Sequence, residues 1–228
     1  MSQNYASEQY DPRYRVLDIE ATGIDSAAEF MEPIEAPSNY KDPAKIAAYI
    51  AEAQQAALGK CALDPDLARV VAVGIADPET GKVGVITADS EAQERTMLAE
   101  VWRQVQGQTS IVGYNILGYD LPVLLRRSLY LGVPAPAIQI DKYRHPSVID
   151  LMQLLSFNGA IKFRGLKFYA KRFGIPLDDA ISGADVPALI AAGKWAEVCA
   201  HVRSDVEVTL ALARRMGVLR GVAAEQVA

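Results

Sequence analysis

The sequence predicts an α/β fold in which a three-stranded antiparallel meander is combined with helices. Three short apolar segments, at residues 16–23, 69–76 and 83–87, have the composition of strands. The last two are joined by D-P-E-T-G-K, a turn-forming run that is typical of a hairpin. By contrast, residues 91–106 and about 194–216 place their apolar side chains at helical spacing.

Length and composition indicate one domain. The chain has 228 residues, half of them hydrophobic, so we expect a single domain over residues 1–228 with its own core. It has a polar N-terminus and no apolar run of membrane-spanning length, so we expect a cytoplasmic protein without a membrane partner. Cys61 and Cys199 are too few for a zinc cluster or a disulfide framework, and we interpret them as small core residues.

The first strand carries two carboxylates, because Asp18 and Glu20 interrupt the run V-L-D-I-E-A-T-G at 16–23. Residues two apart on a strand point to the same face, so both carboxylates enter one small volume. Repulsion and loss of hydration predict that the pair either holds a proton or binds a divalent cation, and oxygen ligands favour Mg²⁺ or Mn²⁺. A lone D-x-E is common on solvated strands, so further carboxylates must reach the same point.

A helical insertion is predicted between the first two strands, at about residues 26–66. Asp42 followed by Pro43 is typical of an N-cap and a first helical residue, and it predicts a helix through about Gly59. The insertion is equally compatible with a lid, a partner-binding arm or a structural addition without a function of its own. The expected inward positions of its helix are Ile46, Tyr49, Ile50, Ala53 and Leu58.

The segment N-I-L-G-Y-D at 115–120 follows a predicted strand at 110–114. Asp120 precedes the helical pattern of Val123, Leu124, Leu125 and Leu129, so it is either an N-cap worth roughly 1 kcal/mol or a metal ligand at a helix N-terminus. Asn115 is expected to orient this loop. Asp150, at the end of another short strand, is the second choice for the metal site.

The C-terminal helix contributes a further pair, His201 and Asp205, which lie four residues apart and therefore on one helix face. On an ordinary helix this pair is a solvated contact worth a few tenths of a kcal/mol. In a metal site, Asp205 is a fourth carboxylate. The buried stripe of this helix is predicted to contain Trp195, Val198, Val202, Val206, Leu210 and Ala213.

Charge is distributed unevenly along the chain, although the net charge of −5 alone argues against a nucleic-acid partner. Residues 1–100 hold 8 Lys/Arg and 18 Asp/Glu, whereas residues 101–228 hold 15 and 10. Residues 151–177 contain no acid and mix cations with aromatics, as binders of single-stranded nucleic acid do. The alternative is an amphipathic helix with core aromatics and solvated cations. The cations are Lys162, Arg164, Lys167, Lys171 and Arg172.

Together these motifs resemble those of the DEDD 3′-to-5′ exonucleases: D-I-E on the first strand, N-x4-D opening a helix, and H-x3-D within a C-terminal helix. The resemblance covers a core of about residues 14–216. It looks closest to the phage and prophage exonucleases that are related to the proofreading domain of family B DNA polymerases. It implies a ribonuclease H-like fold, with a mixed central sheet and helices on both faces.

The resemblance further implies that Asp18, Glu20, Asp120 and Asp205 bind two divalent metal ions, Mg²⁺ or Mn²⁺. The third motif departs from the family, in which a tyrosine stands four residues before the last aspartate or a histidine stands five before it. Here His201 occupies the tyrosine spacing. We expect it to be the general base, with Tyr119 or solvent as the alternative.

The activity that follows is release of 5′-nucleoside monophosphates from the 3′ end of single-stranded DNA. RNA is the open alternative substrate, and a catalytically silent module that binds nucleic-acid ends is the alternative of another class. A polymerase or a recombination protein acting in trans is the candidate protein partner. Ile19, Thr22, Asn115, Leu117 and Tyr119 are expected to contact the terminal nucleotide, and Lys162, Arg164 and Lys167 the strand upstream.

Overall fold

The computed structural model describes residues 13–106, 109–138 and 145–219. Five strands form one sheet: β1 (Tyr14–Gly23), β2 (Ala68–Ala76), β3 (Val83–Thr87), β4 (Ser110–Gly113) and β5 (Val148–Asp150). Their order in the sheet is β3-β2-β1-β4-β5. The pairs β1 with β2 and β2 with β3 are antiparallel, which confirms the meander, and β4 is parallel to both β1 and β5. The sheet is therefore mixed, as predicted.

Seven α-helices surround this sheet in the described part of the chain. They are α1 (Pro43–Leu58), α2 (Glu91–Gln104), α3 (Asp120–Leu131), α4 (Leu151–Leu155), α5 (Leu166–Phe173), α6 (Val186–Ala191) and α7 (Trp195–Arg215). Single 3₁₀ turns occur at Ala27–Phe30, Cys61–Leu63 and Gly183–Asp185. No helix among the described residues is long and apolar enough to cross a membrane.

Helices cover both faces of the sheet, because alternate residues of the strands join different buried clusters. Leu17 and Ile19 of β1 pack with residues of α2 and α3. Val16 of the same strand packs with residues of α5 and α7. This arrangement confirms the predicted ribonuclease H-like fold class, in which both faces of a mixed sheet are buried.

Gly74 lets α7 lie close against the sheet. It pairs with Asp18 across β1 and β2, so both residues face α7. A Cβ atom built on Gly74 would lie 2.6 Å from Val206 Cγ2 and 3.1 Å from the Val202 carbonyl oxygen. Any side chain at this position would therefore displace the helix.

Helix α1 differs from its prediction in burial but not in extent. Asp42 caps it by accepting a hydrogen bond from the Ala44 N–H at 2.9 Å, and the helix ends at Leu58. However, none of its residues is fully buried, and Leu58 is 43% exposed. The expected inward face is therefore only partly buried: Ile46, Tyr49, Ile50 and Ala53 are half-buried, whereas Leu58 is exposed.

The other helices follow their sequence patterns more closely. The apolar side chains at helical spacing in 91–106 are all buried, namely Met97, Leu98, Val101, Trp102 and Val105. Helix α7 buries its predicted stripe apart from Trp195, which is only partly buried. In α3, Val123 and Leu124 are buried, but Leu129 is 76% exposed. It lies on the outer side of the helix beside Tyr130, which is 53% exposed.

Candidate metal centre

Four acidic side chains meet on the face of the sheet that α7 covers. Asp18 and Glu20 point there from β1, because they alternate with the core residues Leu17 and Ile19. Asp120, the first residue of α3, reaches β1 and accepts a hydrogen bond from the Ile19 N–H at 3.1 Å. Asp205 comes from α7.

Glu20, His201 and Asp205 are close enough to share one ion. One ligand atom from each lies within 4.8 Å of the others. The Asp205 Oδ1 atom is buried and has no hydrogen-bond partner among the described residues. A buried carboxylate oxygen without a donor is unfavourable unless a cation or water completes its shell. The donor set therefore fits a divalent metal ion.

The acids raise one another's pKa values. Burial raises the pKa of Asp18 well above its usual value, and the charges of Asp120, Glu20 and Asp205 raise it further. Burial, followed by the charges of Asp205 and Asp120, raises the pKa of Glu20 to about 8. Burial raises the pKa of Asp120 to about 7 despite its backbone hydrogen bonds, and burial raises that of Asp205. In the absence of a cation, these groups therefore favour the protonated state.

His201 is buried, with 2% of its surface exposed, and both ring nitrogens are engaged. Its Nε2 atom lies 3.1 Å from Glu20 Oε1. Its Nδ1 atom lies 2.6 Å from Asp179 Oδ2. The His201 ring is therefore inserted between two carboxylates.

Asp179 is a site residue that sequence reasoning missed. It lies between α5 and α6, in a segment without periodic pattern, and its side chain is only 6% exposed. Burial acts to raise its pKa, but hydrogen bonds from His201 and the Ile181 N–H outweigh burial and lower it. The one available signal was its place in D-D, directly after the acid-free stretch 151–177.

Lys167, a predicted strand contact, is occupied elsewhere. Its Nζ atom donates hydrogen bonds to the Asp179 carbonyl oxygen at 3.1 Å and to the Ile181 carbonyl oxygen. It also lies 3.6 Å from Asp179 Oδ2. We therefore correct its assignment: in this structure Lys167 fastens the segment that carries Asp179.

Asp150, the second choice for the metal site, caps a helix, whereas Asp120 does not. Asp150 caps α4 by accepting hydrogen bonds from the Met152 and Gln153 N–H groups, so it is not a free metal ligand. It also accepts hydrogen bonds from the N–H groups of Asn115 and Leu117, at 3.0 and 3.1 Å, and thereby holds the 115–120 loop. Asp120 is not the N-cap, which is Tyr119.

The residues predicted to contact the terminal nucleotide differ in how much of their surface is exposed. The Ile19 side chain is 5% exposed and packs in the core, so it offers little surface, and its contact with a base stays a prediction. Thr22 is 9% exposed and donates its hydroxyl to the Gly23 carbonyl oxygen. Leu117 is partly buried against the core. The Tyr119 hydroxyl donates to the Ala62 carbonyl oxygen, and burial raises its pKa, which disfavours it as a general base.

The acid-free stretch presents an exposed surface of cations and aromatics. Lys162 and Arg164 are exposed, and the Arg164 guanidinium lies 4.9 Å from the centroid of the Phe168 ring. Tyr169 and Phe173 instead pack against the core. The aromatic residues of this stretch are therefore divided between the core and the exposed surface. The exposed apolar side chains are Phe157, Ile161, Phe163 and Phe168.

Residues 63–227 match a protein family described as predicted 3′-5′ exonucleases related to the exonuclease domain of PolB. The chain belongs to this exonuclease family. It is therefore a 3′-5′ exonuclease, a hydrolase of phosphodiester bonds, and the resemblance seen in the sequence is confirmed. No curated protein sequence matches the chain.

Solved structures of exonuclease-containing proteins share the fold. The family B DNA polymerase of the hyperthermophilic archaeon Pyrobaculum calidifontis is similar over 90% of this chain, with 22% identity and a TM-score of 0.62. E. coli exonuclease I in complex with a 5cy-dT13 oligonucleotide is similar over 92%, with 16% identity and a TM-score of 0.50. The chain covers only 24% of that polymerase and 42% of that exonuclease, so it corresponds to one part of each.

Proposed function

We propose that this exonuclease removes 5′-nucleoside monophosphates from the 3′ end of single-stranded DNA, with two divalent ions, Mg²⁺ or Mn²⁺, as cofactors. One observation carries the proposal: carboxylates from β1, α3 and α7 share one buried volume. Among the described residues, no lysine or arginine bridges any of the four. A concentration of like charge that is paired with no such cation is typical of a site for divalent metal ions.

Asp18, Glu20, Asp120 and Asp205 would hold the ions. Bound there, divalent ions would supply positive charge that polarises the scissile phosphate and makes water more acidic. The chain supplies orientation: the Ile19 N–H fixes Asp120, while α7 brings Asp205 to the same point. His201 would accept the proton of the attacking water at Nε2, since imidazole is suited to proton transfer near neutral pH.

The substrate class rests on the exposed surface around Lys162 and Arg164. Cations neutralise phosphates, and exposed aromatic rings stack on unpaired bases, which a duplex does not offer. Phe157, Phe163 and Phe168 are available for stacking, with 71%, 46% and 43% of their surfaces exposed. Thr22, Asn115, Leu117 and Tyr119 remain the proposed contacts to the terminal nucleotide.

A time course on a 5′-labelled single strand tests this function. Parallel reactions contain Mg²⁺, Mn²⁺ or EDTA, and a matched RNA strand tests the nature of the sugar. We expect a ladder of DNA products that shorten from the 3′ end with either metal, none with EDTA, and slower cleavage of RNA.

The matched variants for this assay are Glu20→Gln and Glu52→Gln, the latter on the exposed surface of α1. Only Glu20→Gln should remove the ladder. End binding without degradation in Mg²⁺ or Mn²⁺ would instead identify a silent binding module. A ladder that persists in EDTA would rule out dependence on divalent ions.

A further inference from the structure

Asp179 and His201 form a buried pair behind the acids. The Nδ1 to Oδ2 distance of 2.6 Å is that of a strong hydrogen bond, and the side chains are 2% and 6% exposed for His201 and Asp179. Since an aspartate accepts hydrogen bonds, the ring donates from Nδ1 to it. The opposite nitrogen, Nε2, then faces Glu20.

The carboxylate of Asp179 is itself held in place from several sides. Its Oδ1 atom accepts a hydrogen bond from the Ile181 N–H at 2.9 Å, which leaves Oδ2 for the imidazole. Lys167 binds the carbonyl oxygens of Asp179 and Ile181, and thus ties this segment to α5. Gly183 follows in the same segment, and a Cβ atom built there would lie 3.7 Å from Glu20 Oε2. The segment therefore borders the centre.

We propose that Asp179 is a positioning residue that acts through His201. By accepting the Nδ1–H bond, it fixes the orientation of the imidazole ring and aims Nε2 at the acids. It is not one of the four proposed metal ligands. This inference rests on the proposed function, since a correctly aimed Nε2 accelerates hydrolysis only if His201 is the base.

The Nδ1–H bond of His201 can be observed directly by NMR. The chain has two histidines, His145 and His201, so few imidazole signals have to be assigned. Nitrogen-15 NMR of the imidazole rings, recorded on the Mg²⁺-loaded full chain, distinguishes a protonated from an unprotonated ring nitrogen. The spectrum of His145→Gln assigns the His201 signals. We expect a proton on Nδ1, shifted downfield by its short hydrogen bond to Asp179.

Asp179→Asn should remove the shifted Nδ1 proton signal, because the amide can donate to Nδ1 where the carboxylate accepts from it. We expect kcat to fall about a hundredfold, the lower end of the effect of losing a general base, with KM unchanged. Asp178→Asn is the matched control, since Asp178 is the exposed neighbour in the chain, and it should leave both the spectrum and kcat as in the parent. Asp179→Glu should recover part of the rate.

A double-variant cycle separates positioning from a purely structural role. If Asp179 acts through the imidazole, Asp179→Asn changes kcat by less than about twofold in the His201→Gln background. Equal losses in both backgrounds, or an Nδ1 without a proton in the parent, would overturn the proposal. The spectrum of the parent protein tests the Nδ1–H bond even if a variant fails to fold. If His201→Gln alone keeps full activity, His201 is not the general base. In that case the Nδ1 proton signal of the parent still reports whether Asp179 orients the ring.

Discussion

The metal centre and Glu94 bury the same chemical group in opposite ways. Glu94, in α2, is fully buried, and both of its oxygens are paired. Oε1 accepts hydrogen bonds from the Val70 N–H at 2.9 Å and the Arg127 Nε–H at 2.8 Å, and Oε2 accepts one from Arg127 Nη2 at 2.6 Å. At the centre, four carboxylates instead face one another, and Asp205 Oδ1 has no partner in the described part of the chain.

Burial of a charge is therefore a poor sign of function, whereas missing compensation is a good one. The Glu94 and Arg127 pair joins α2, α3 and β2 through satisfied bonds, which is a structural use of charge. The acids of the centre destabilise the metal-free fold, and such an arrangement is typical of a ligand site. Four measurements test this distinction.

The largest effect is expected on activity for Asp205→Asn. Loss of one ligand should lower kcat about a thousandfold or more, because a bound metal contributes several kcal/mol to transition-state stabilisation. In EDTA, the same variant should melt at the same temperature as the parent or higher, since like charge is removed. A lower melting temperature would mean that Asp205 is compensated in the way Glu94 is.

The next largest effect is expected for Arg127→Met. It leaves the Glu94 carboxylate buried without its cation, which should reduce the free energy of unfolding by about 3–5 kcal/mol. Urea unfolding measures it, and activity per folded molecule should be unchanged. Arg126→Met is the matched control, because Arg126 lies next in the chain but its ion pair with Asp66 is half-exposed at 3.1 Å. A similar loss in both variants would refute a special role for the buried pair.

The pH dependence of stability should reveal the centre in the metal-free protein. The pKa values of Asp120 and Glu20, about 7 and 8, lie above the ordinary 3.8 and 4.5, so in this window the folded state binds more protons than the unfolded state. The free energy of unfolding should therefore fall by several kcal/mol as pH rises from about 4 to 8. Urea unfolding in EDTA measures it, and a flat profile would contradict the raised pKa values.

The smallest effect is expected for the increase in stability that metal binding gives to the folded protein. At a metal concentration one hundred times Kd, a site that exists only in the folded state adds about 2.7 kcal/mol to the free energy of unfolding. The melting temperature should rise with Mn²⁺ concentration for the parent and for Arg127→Met, which keeps all four acids. The melting temperature of Asp205→Asn should not change. Equal shifts in all three proteins would place the bound metal elsewhere.

The sequence predicted most of the fold because strands and amphipathic helices are encoded locally. Alternation along β1 placed Asp18 and Glu20 on one face, and helical spacing placed His201 beside Asp205. Helix α1 shows the limit of the same rule: its apolar positions repeat correctly, but periodicity does not reveal whether another layer covers them.

The contacts that the sequence did not reveal are those made across long separations. Asp179 meets His201 from 22 residues away, in a segment without periodicity, and Asp150 binds the 115–120 loop from more than 30 residues away. Glu94 and Arg127 lie 33 residues apart on two different helices. A hydrophobic pattern places such polar residues on the solvent side, because it contains no information about which partners the fold brings together.

The closeness of α7 to the sheet at Gly74 has a consequence for tuning this enzyme. Because the residue opposite Asp18 has no side chain, Val206 and the Val202 carbonyl of the last helix lie directly against the strand, and this contact helps set the spacing between the first-strand acids and Asp205. Gly74→Ala would push the helix away from the sheet. It would widen the space between the acids of β1 and Asp205 without altering any group that takes part in the chemistry.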